Sequence, residues 1–166
     1  MRKSIFTLFA LLLPFVVQGQ VKIGYFSYEK ALSSMAEYQS VQSSLDNLKS
    51  QYAAETQRVE DEFNKKYEEF LDGQSDFAPT ILQKRQSELQ ELMVKNISFK
   101  REAERLLRQA EQEAMAPLRE KLSAAVRAVG EAYGFTLILN TDGDHVQYVD
   151  AALGEDVTTL ILSRLK

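Results

Sequence analysis

Apolar residues in the middle of the chain recur at alternating steps of three and four positions. This spacing is typical of a coiled-coil seam, a narrow apolar stripe that buries against one partner helix. On the first helix the seam positions are Tyr38, Val41, Leu45, Leu48, Tyr52, Val59, Phe63, Tyr67 and Phe70. On the second helix they are Leu82, Leu89, Leu92, Phe99, Ala103, Leu106, Ala110, Ala114, Leu118 and Leu122. The pattern predicts two long helices that pack along each other.

A cluster of helix breakers separates the two halves of the seam. The stretch DGQSDFAP, residues 72–79, contains the Asp, Gly and Pro residues that stop one helix and start another. We therefore predict a long antiparallel helical hairpin over residues 28–133, called the arm, with its tip near residues 72–79. A first helix over residues 28–71 would be about 65 Å long at 1.5 Å per residue. That is far longer than a compact domain of this mass needs.

Two features weaken the predicted seam. Glu55, Asn96 and several alanines occupy seam positions and bury little apolar surface, so we expect the arm to be flexible. Pro117 lies within the second helix, where proline removes a backbone hydrogen bond and clashes with the preceding turn. Two interpretations stay open: Pro117 bends the helix to fit its neighbours, or it splays the arm to open a space.

The segments on either side of the arm have the character of strands. Alternation in VKIGYFS, residues 21–27, predicts a short strand. Residues 134–150 carry two alternating apolar runs around Asp142-Gly143, a pair suited to a tight I′ turn, and so predict a β-hairpin. A short closing helix follows, with one apolar face formed by Val157, Leu160, Ile161 and Leu165.

Self-association would solve the packing problem that these strands create. A helical hairpin returns to its origin, so residues 20–27 and 134–166 meet in a small β body. Three strands leave open edges and apolar faces, which are a liability unless another chain buries them. We therefore expect several copies to close their sheets around a common core. The predicted oligomerisation residues are Ile23, Tyr25, Leu137, Leu139, Val146 and Tyr148. The predicted fold class is α+β, mostly α.

The first 19 residues are predicted to be a cleaved signal peptide. Arg2 and Lys3 form a basic region, Ile5 to Val17 form an apolar run, and Val17-Gln18-Gly19 is a small-residue cleavage site. The apolar run is too short to span a bilayer comfortably. We place the mature start at Gln20 and expect an exported, soluble protein; a retained N-terminal anchor is the alternative.

Composition narrows the function classes. The chain has 166 residues, 45% hydrophobic and 27% charged, which suits one modest domain. It has no cysteine, so disulfides, thiol chemistry and a lipid on cysteine are excluded. Loss of Arg2 and Lys3 leaves 18 basic against 24 acidic residues, a net charge of −6. Such a protein has no general electrostatic attraction to nucleic acid or anionic lipid.

No reactive constellation is visible in the sequence. Asp142, Asp144 and His145 form the one compact group of metal-competent side chains, and the predicted turn explains them. His145 is the only histidine. No phosphate loop, G-x-S-x-G or H-E-x-x-H motif is present. We therefore predict no catalytic, cofactor or metal site and no enzyme activity.

Four aromatic residues gather near the tip of the arm. Phe63 and Phe70 are expected to clamp the last turns of the coiled coil, together with Tyr67. Phe77 lies in the predicted loop, and the spacing predicts no seam partner for it. Phe77 is therefore the candidate residue for contact with a bound polypeptide.

The two ends of the mature chain resemble those of a known family. KIGYFSYEKAL, the apolar strand to Asn140, VQYVD, and Asp156-Val157-Thr158 leading into LILSRLK are similar to the exported Skp/OmpH-like periplasmic chaperones. The resemblance covers the whole mature chain, and the two ends are its specific parts.

This resemblance implies a homotrimer in the periplasm. Three chains would form a β-barrel body, with three helical arms around a central cavity. It also implies an ATP-independent holdase that binds unfolded outer-membrane β-barrel proteins in that cavity, and transient approach to a membrane surface. The alternative is a structural or tethering coiled-coil protein of the cell envelope without chaperone activity.

The resemblance is not extended to lipopolysaccharide binding. The family's best-known member is strongly basic, whereas residues 60–76 of this chain are acidic. Basic residues gather on the second helix instead, at Lys95, Lys100, Arg101, Arg105 and Arg108. Interleaved charges of this kind favour a solvated, ion-paired helix face.

Overall fold

A computed structural model of the chain describes residues 21–166. The predicted signal peptide, residues 1–19, and the predicted mature start at Gln20 lie outside the described residues. In chain order, the described elements are β1 (Ile23–Phe26), α1 (Tyr28–Ser33), α2 (Ala36–Gly73), α3 (Pro79–Tyr133), β2 (Leu137–Asn140), β3 (Gly154–Asp156) and α4 (Thr158–Leu165). The mostly helical α+β prediction is confirmed.

The three strands form a parallel sheet in the order β2-β1-β3. The predicted β-hairpin over residues 134–150 is therefore wrong. Its first strand exists as β2, but β2 pairs with β1 instead of turning back on itself. Residues 146–150, the predicted second strand, are irregular, and the third strand forms further along as β3.

Capping of α1 explains why the chain does not reverse at Asp142-Gly143. The carboxylate of Asp142 accepts a hydrogen bond from the backbone N–H of Glu29, and the side-chain oxygen of Asn140 accepts one from Tyr28. Both N–H groups lie in the first turn of a helix, where they have no partner within the helix. Gly143 does adopt the left-handed conformation expected of it, with φ of 78°. Asn140 and Asp142 thus accept hydrogen bonds from the first turn of α1, which lies far away in the sequence.

The irregular segment after β2 folds back over the sheet before β3 begins. Asp150 organises its end: the Asp150 carbonyl accepts hydrogen bonds from Leu153 and Gly154, and its carboxylate accepts one from Ala152. At Gly154, an added Cβ would lie 2.4 Å from Val149 and 3.2 Å from the Tyr25 ring. A larger residue at position 154 would therefore force the Val149 side chain to move.

The predicted first helix is divided into two. α1 ends at Ser33, and Met35 adopts an extended conformation before α2 begins at Ala36. Met35 is 3% exposed and belongs to the hydrophobic core, so burial of its side chain accompanies the break. The prediction of one continuous helix from residue 28 was therefore wrong at this point, where tertiary packing takes precedence over local helix propensity.

The core of the chain lies at one end of the molecule. The last third of α3 packs against α1, α4 and one face of the sheet. Leu122, Val129, Val157 and Ile161 are completely buried there. The predicted apolar face of the closing helix is confirmed, because Ile161 and Leu165 are buried and Leu160 packs against the same cluster. This end is the body, and the rest of α2 and α3 forms the arm.

Contacts between α2 and α3 run in opposite order along the two helices. The start of α2 meets the last part of α3 through the Glu37–Lys121 ion pair at 3.0 Å. Midway, the rings of Tyr52 and Phe99 lie 6.4 Å apart. Of the predicted seam residues, only Tyr67 is as much as 45% exposed; the others are buried or half-buried. α3 runs through Pro117 without interruption, with Met115 and Leu118 buried on either side of it.

Candidate functional site

One face of the sheet is apolar, and the rest of the described chain covers it only in part, where Val149 approaches Gly154 and the Tyr25 ring. The register pairs Ile23 with Leu137 and Tyr25 with Leu139, and residues paired in this way point to the same side of a sheet. Gly24 and Phe26 are buried on the other side, against the core. Leu137 remains 48% exposed. Four of the six predicted oligomerisation residues thus form one surface, called the open face.

The other two predicted oligomerisation residues lie outside the strands. Tyr148 is 81% exposed and Val146 is half-buried, both in the irregular segment after β2. Leu153, which the sequence reasoning did not single out, is 71% exposed just before β3. Leu153 lies immediately before Gly154, the first residue of β3, and belongs to no alternating apolar pattern that would have predicted its exposure. The segment before β3 thus carries exposed apolar side chains of its own, in addition to those of the open face.

Charged groups border the sheet near Lys22. The ammonium of Lys22 lies 3.1 Å from the Glu155 carboxylate and 4.1 Å from the centre of the Phe135 ring. Next to this pair, Asp156 accepts a hydrogen bond from the backbone N–H of Thr158 at the start of α4. Hydrogen bonding, first from the Thr158 hydroxyl and then from its backbone N–H, lowers the pKa of Asp156. The border is thus polar while the open face is not.

A polar layer interrupts the seam of the arm near its middle. The side-chain amide of Asn96 donates a hydrogen bond to the Val59 carbonyl at 3.0 Å. Beside it, Lys100 and Glu60 form an ion pair between the two helices. The predicted weak point at Asn96 therefore has a specific partner across the arm. A polar group at such a position fixes register at some cost in stability.

Ion pairs within each helix account for much of the remaining charge. Arg58 contacts Glu55 at 2.7 Å, and Arg105 contacts Glu102 at 2.7 Å. The hydrogen bond from Arg58 lowers the pKa of Glu55, and that from Arg105 lowers the pKa of Glu102. All four side chains are largely exposed, so each pair contributes little to stability. Their role is to keep the outer faces of the arm solvated.

Phe77 packs at the tip of the arm, where it has a partner that spacing did not predict. Its ring lies 6.4 Å from that of Phe70 and covers Gly73, where a Cβ would come within 2.6 Å of the ring. Phe77 is half-buried and lines a small cavity beside Arg85 and Glu88. A part of the ring therefore remains accessible, next to charged side chains.

A second groove lies on the other side of the arm. It is formed by Phe63 from α2 and by Met93 and Ile97 from α3, with Glu60 and Lys100 at its border. Met93 is 49% exposed and Ile97 is 43% exposed. The sequence pattern did not predict Met93 and Ile97 as surface residues of interest, because both lie beside the apolar seam and not within it. Their spacing of four positions, which places them on one side of α3, is the sequence feature that could have identified them.

The described part of the chain offers little for reaction chemistry. Within residues 21–166, no group of three or more His, Asp or Glu side chains is arranged to hold a metal ion. No helix in that range is long and apolar enough to cross a membrane. His145 is exposed in the irregular segment, away from the arm's grooves. Three surfaces of the described chain carry exposed or half-exposed apolar side chains: the open face, the tip and the groove.

The fold and these surfaces define a class of protein: a small body of three strands and short helices that carries one long two-helix arm. A sequence model of the family described as "Outer membrane protein (OmpH-like)" matches residues 22–165. The chain therefore belongs to the OmpH-like family.

A solved structure has the same fold. It is a protein from Caulobacter crescentus CB15 described as a candidate outer membrane chaperone (OmpH-like). The TM-score is 0.63 at 17% sequence identity, and the match covers 86% of this chain and 82% of that one. No curated protein matches this chain significantly.

Proposed function

We propose that the chain is a periplasmic, ATP-independent holdase that binds unfolded outer-membrane β-barrel proteins between the arms of a homotrimer. One observation carries the proposal. The chain joins an apolar sheet face, partly open in the single chain, to an arm that bears half-exposed apolar side chains far from the core. The first feature suits self-association, and the second suits many weak contacts with a flexible polypeptide.

The open face supports assembly through the body. Leu137, Tyr148 and Leu153 are 48%, 81% and 71% exposed in the single chain. Exposed apolar groups of this kind, beside strand edges, are normally buried by another subunit. Closure of three sheets around one axis would cover them and would hold three arms side by side. The domain roles follow: residues 20–27 and 134–166 assemble the body, and residues 28–133 hold the client.

The family supports the chaperone role. Membership in the OmpH-like family is consistent with a general chaperone, and the Caulobacter protein of the same fold is described in those terms. Holding without ATP requires release to be driven by folding of the client at the membrane. Passage through the periplasm requires an exported chain, which the predicted signal peptide would supply.

Native mass spectrometry of residues 20–166 tests this proposal. The protein is measured alone and after a urea-unfolded outer-membrane β-barrel is diluted into it. Three chains with one client are the expected species. Three chains that never capture client would favour the tethering alternative, in which the arms contact a folded partner. A monomer in both samples would overturn the assembly and the enclosed cavity together.

A further inference from the structure

We propose that one flank of the arm, formed by Phe63, Tyr67, Met93 and Ile97, is the surface that holds extended segments of the unfolded client. This inference rests on the proposed function and names the part of the arm that performs it. These four residues are called the apolar flank. Phe63, Met93 and Ile97 line the same groove, and the ring of Tyr67 stacks on that of Phe63 at 6.0 Å.

The two sides of the distal arm differ in chemistry. On the apolar flank, Tyr67, Met93 and Ile97 are 45%, 49% and 43% exposed. The opposite side carries a cavity whose apolar floor is bordered by charged residues from both helices. The apolar lining is Phe70, Phe77, Leu89 and Leu92, and the charged residues are Lys66, Glu69, Arg85 and Glu88. Four charged side chains therefore border that cavity, whereas only the Glu60–Lys100 pair borders the apolar flank. Water solvates the charged side well, whereas the apolar flank gains free energy when it is covered.

Charge selects the occupant of the apolar flank. Glu60 and Lys100 pair with each other at its border, and Asn64 contributes a neutral amide, so these three bordering groups present no net charge. The lipid-facing residues of an outer-membrane strand are apolar and uncharged. A neutral apolar surface matches those residues, whereas a charged segment would lose hydration there without gaining a partner.

The spacing of the apolar flank also matches an extended chain. Phe63 and Tyr67 are one helical turn apart, as are Met93 and Ile97, which separates them by about 6 Å along each helix. Side chains on one side of an extended strand repeat about every 6.4–6.8 Å. Two successive apolar residues of the client can therefore contact Met93 and Ile97 together. Methionine adapts its shape to different side chains, which suits a surface that receives many sequences.

The chain offers a matched control for this surface. Ile81 is 46% exposed on the same helix, close to the 43% of Ile97. It lies one turn before Arg85, on the charged side of the arm. Ile97→Gln and Ile81→Gln therefore remove the same side chain at similar exposure from opposite sides of the arm. Both positions are helical and exposed, where glutamine is well tolerated.

Binding is measured from the tryptophan emission of a urea-unfolded eight-stranded outer-membrane β-barrel, since this chain contains no tryptophan. We expect Ile97→Gln to raise the Kd about threefold, and Ile97→Gln with Met93→Gln to raise it about tenfold, because less apolar surface is buried. Ile81→Gln should leave the Kd within error of the wild type. Equal weakening by Ile81→Gln, or no weakening by the double variant, would overturn the assignment of this flank.

A photo-crosslinking amino acid at position 97 or 81 gives an independent readout. Position 97 should crosslink to the client, and position 81 should crosslink much less; the reverse pattern would refute the apolar flank. A wild-type protein that does not bind the client at all would overturn the proposed function itself. Normal binding by the wild type with unaffected flank variants would overturn only the inference. Circular dichroism and sedimentation of each variant establish that fold and assembly are unchanged.

Discussion

The carboxylate of Asp142 accepts a hydrogen bond from the backbone N–H of Glu29 at 2.5 Å, across 113 residues of sequence. The contact links the segment after β2 to the first turn of α1. It satisfies an N–H group that has no partner within its own helix. The sequence pattern predicted that Asp142 forms a local turn, but its side chain caps a helix from a distant part of the chain.

Loss of this cap should destabilise the body. We expect Asp142→Ala to lower the free energy of unfolding by about 1 kcal/mol, the usual cost of removing a capping side chain. Urea unfolding followed by circular dichroism measures the change. Asp144→Ala is the matched control, because the described residues provide no hydrogen-bond partner for the Asp144 side chain. Equal effects of the two substitutions would refute the capping role.

Asp156 should make the stability of the body depend on pH. Hydrogen bonding from Thr158 lowers the pKa of Asp156 in the folded chain below its unfolded value. The stabilisation is therefore fully present above the unfolded pKa of an aspartate and is lost as the pH falls through the lower, folded value. Urea unfolding of wild type and Asp156→Asn is compared between pH 7 and pH 3. The stability difference between them should shrink as the pH falls, and a constant difference would contradict this linkage.

The open face should control assembly. Leu137→Lys places a charge on a residue that the proposed trimer buries, so we expect dissociation of the oligomer while each chain remains folded. Sedimentation equilibrium and circular dichroism measure these two properties. Leu71→Lys is the control, because Leu71 is exposed to a similar extent, 43%, but lies on the distal arm. A trimer that survives Leu137→Lys would show that another surface holds the chains together.

Phe77 provides a test at the tip. We predict that Phe77→Ser leaves the oligomer intact and weakens suppression of client aggregation. Because the ring also packs on Phe70 and over Gly73, the substitution should loosen the turn as well. Light scattering of a diluted, unfolded client measures the first effect. Unchanged suppression would remove Phe77 from the client surface.

Gly73→Ala separates packing from client contact at the same place. In the wild type, the added Cβ would meet the Phe77 ring at 2.6 Å, so the ring must move. Alanine is otherwise favoured over glycine within a helix by about 1 kcal/mol. We therefore expect Gly73→Ala to stabilise the Phe77→Ser variant but not the wild type. Stabilisation of equal size in both backgrounds would show that the ring does not restrict this position.

Periodicity predicted the arm well because its pattern is local. A helix places every third or fourth residue on one side whatever surrounds it, so the seam from Tyr38 to Leu122 could be identified directly. The half-exposed Met93 and Ile97 were not predicted, since exposure beside a seam depends on how closely the partner helix approaches. The contact of Phe77 with Phe70 was not predicted either, because it depends on the path of the turn, which places the Phe77 ring over Gly73.

The sequence by itself determined two long helices with a break near residues 72–79, the strands β1 and β2, and the apolar face of α4, but not β3. Only the tertiary structure decided how the strands pair. Residues 134–150 satisfy the local rules for a hairpin, but β1 accepts β2 on one side and β3 on the other. The observed pairing buries Phe26 and Val157 in one core and brings Asp142 to the first turn of α1. Local geometry limits which elements form, and burial and hydrogen bonding between distant segments select their partners.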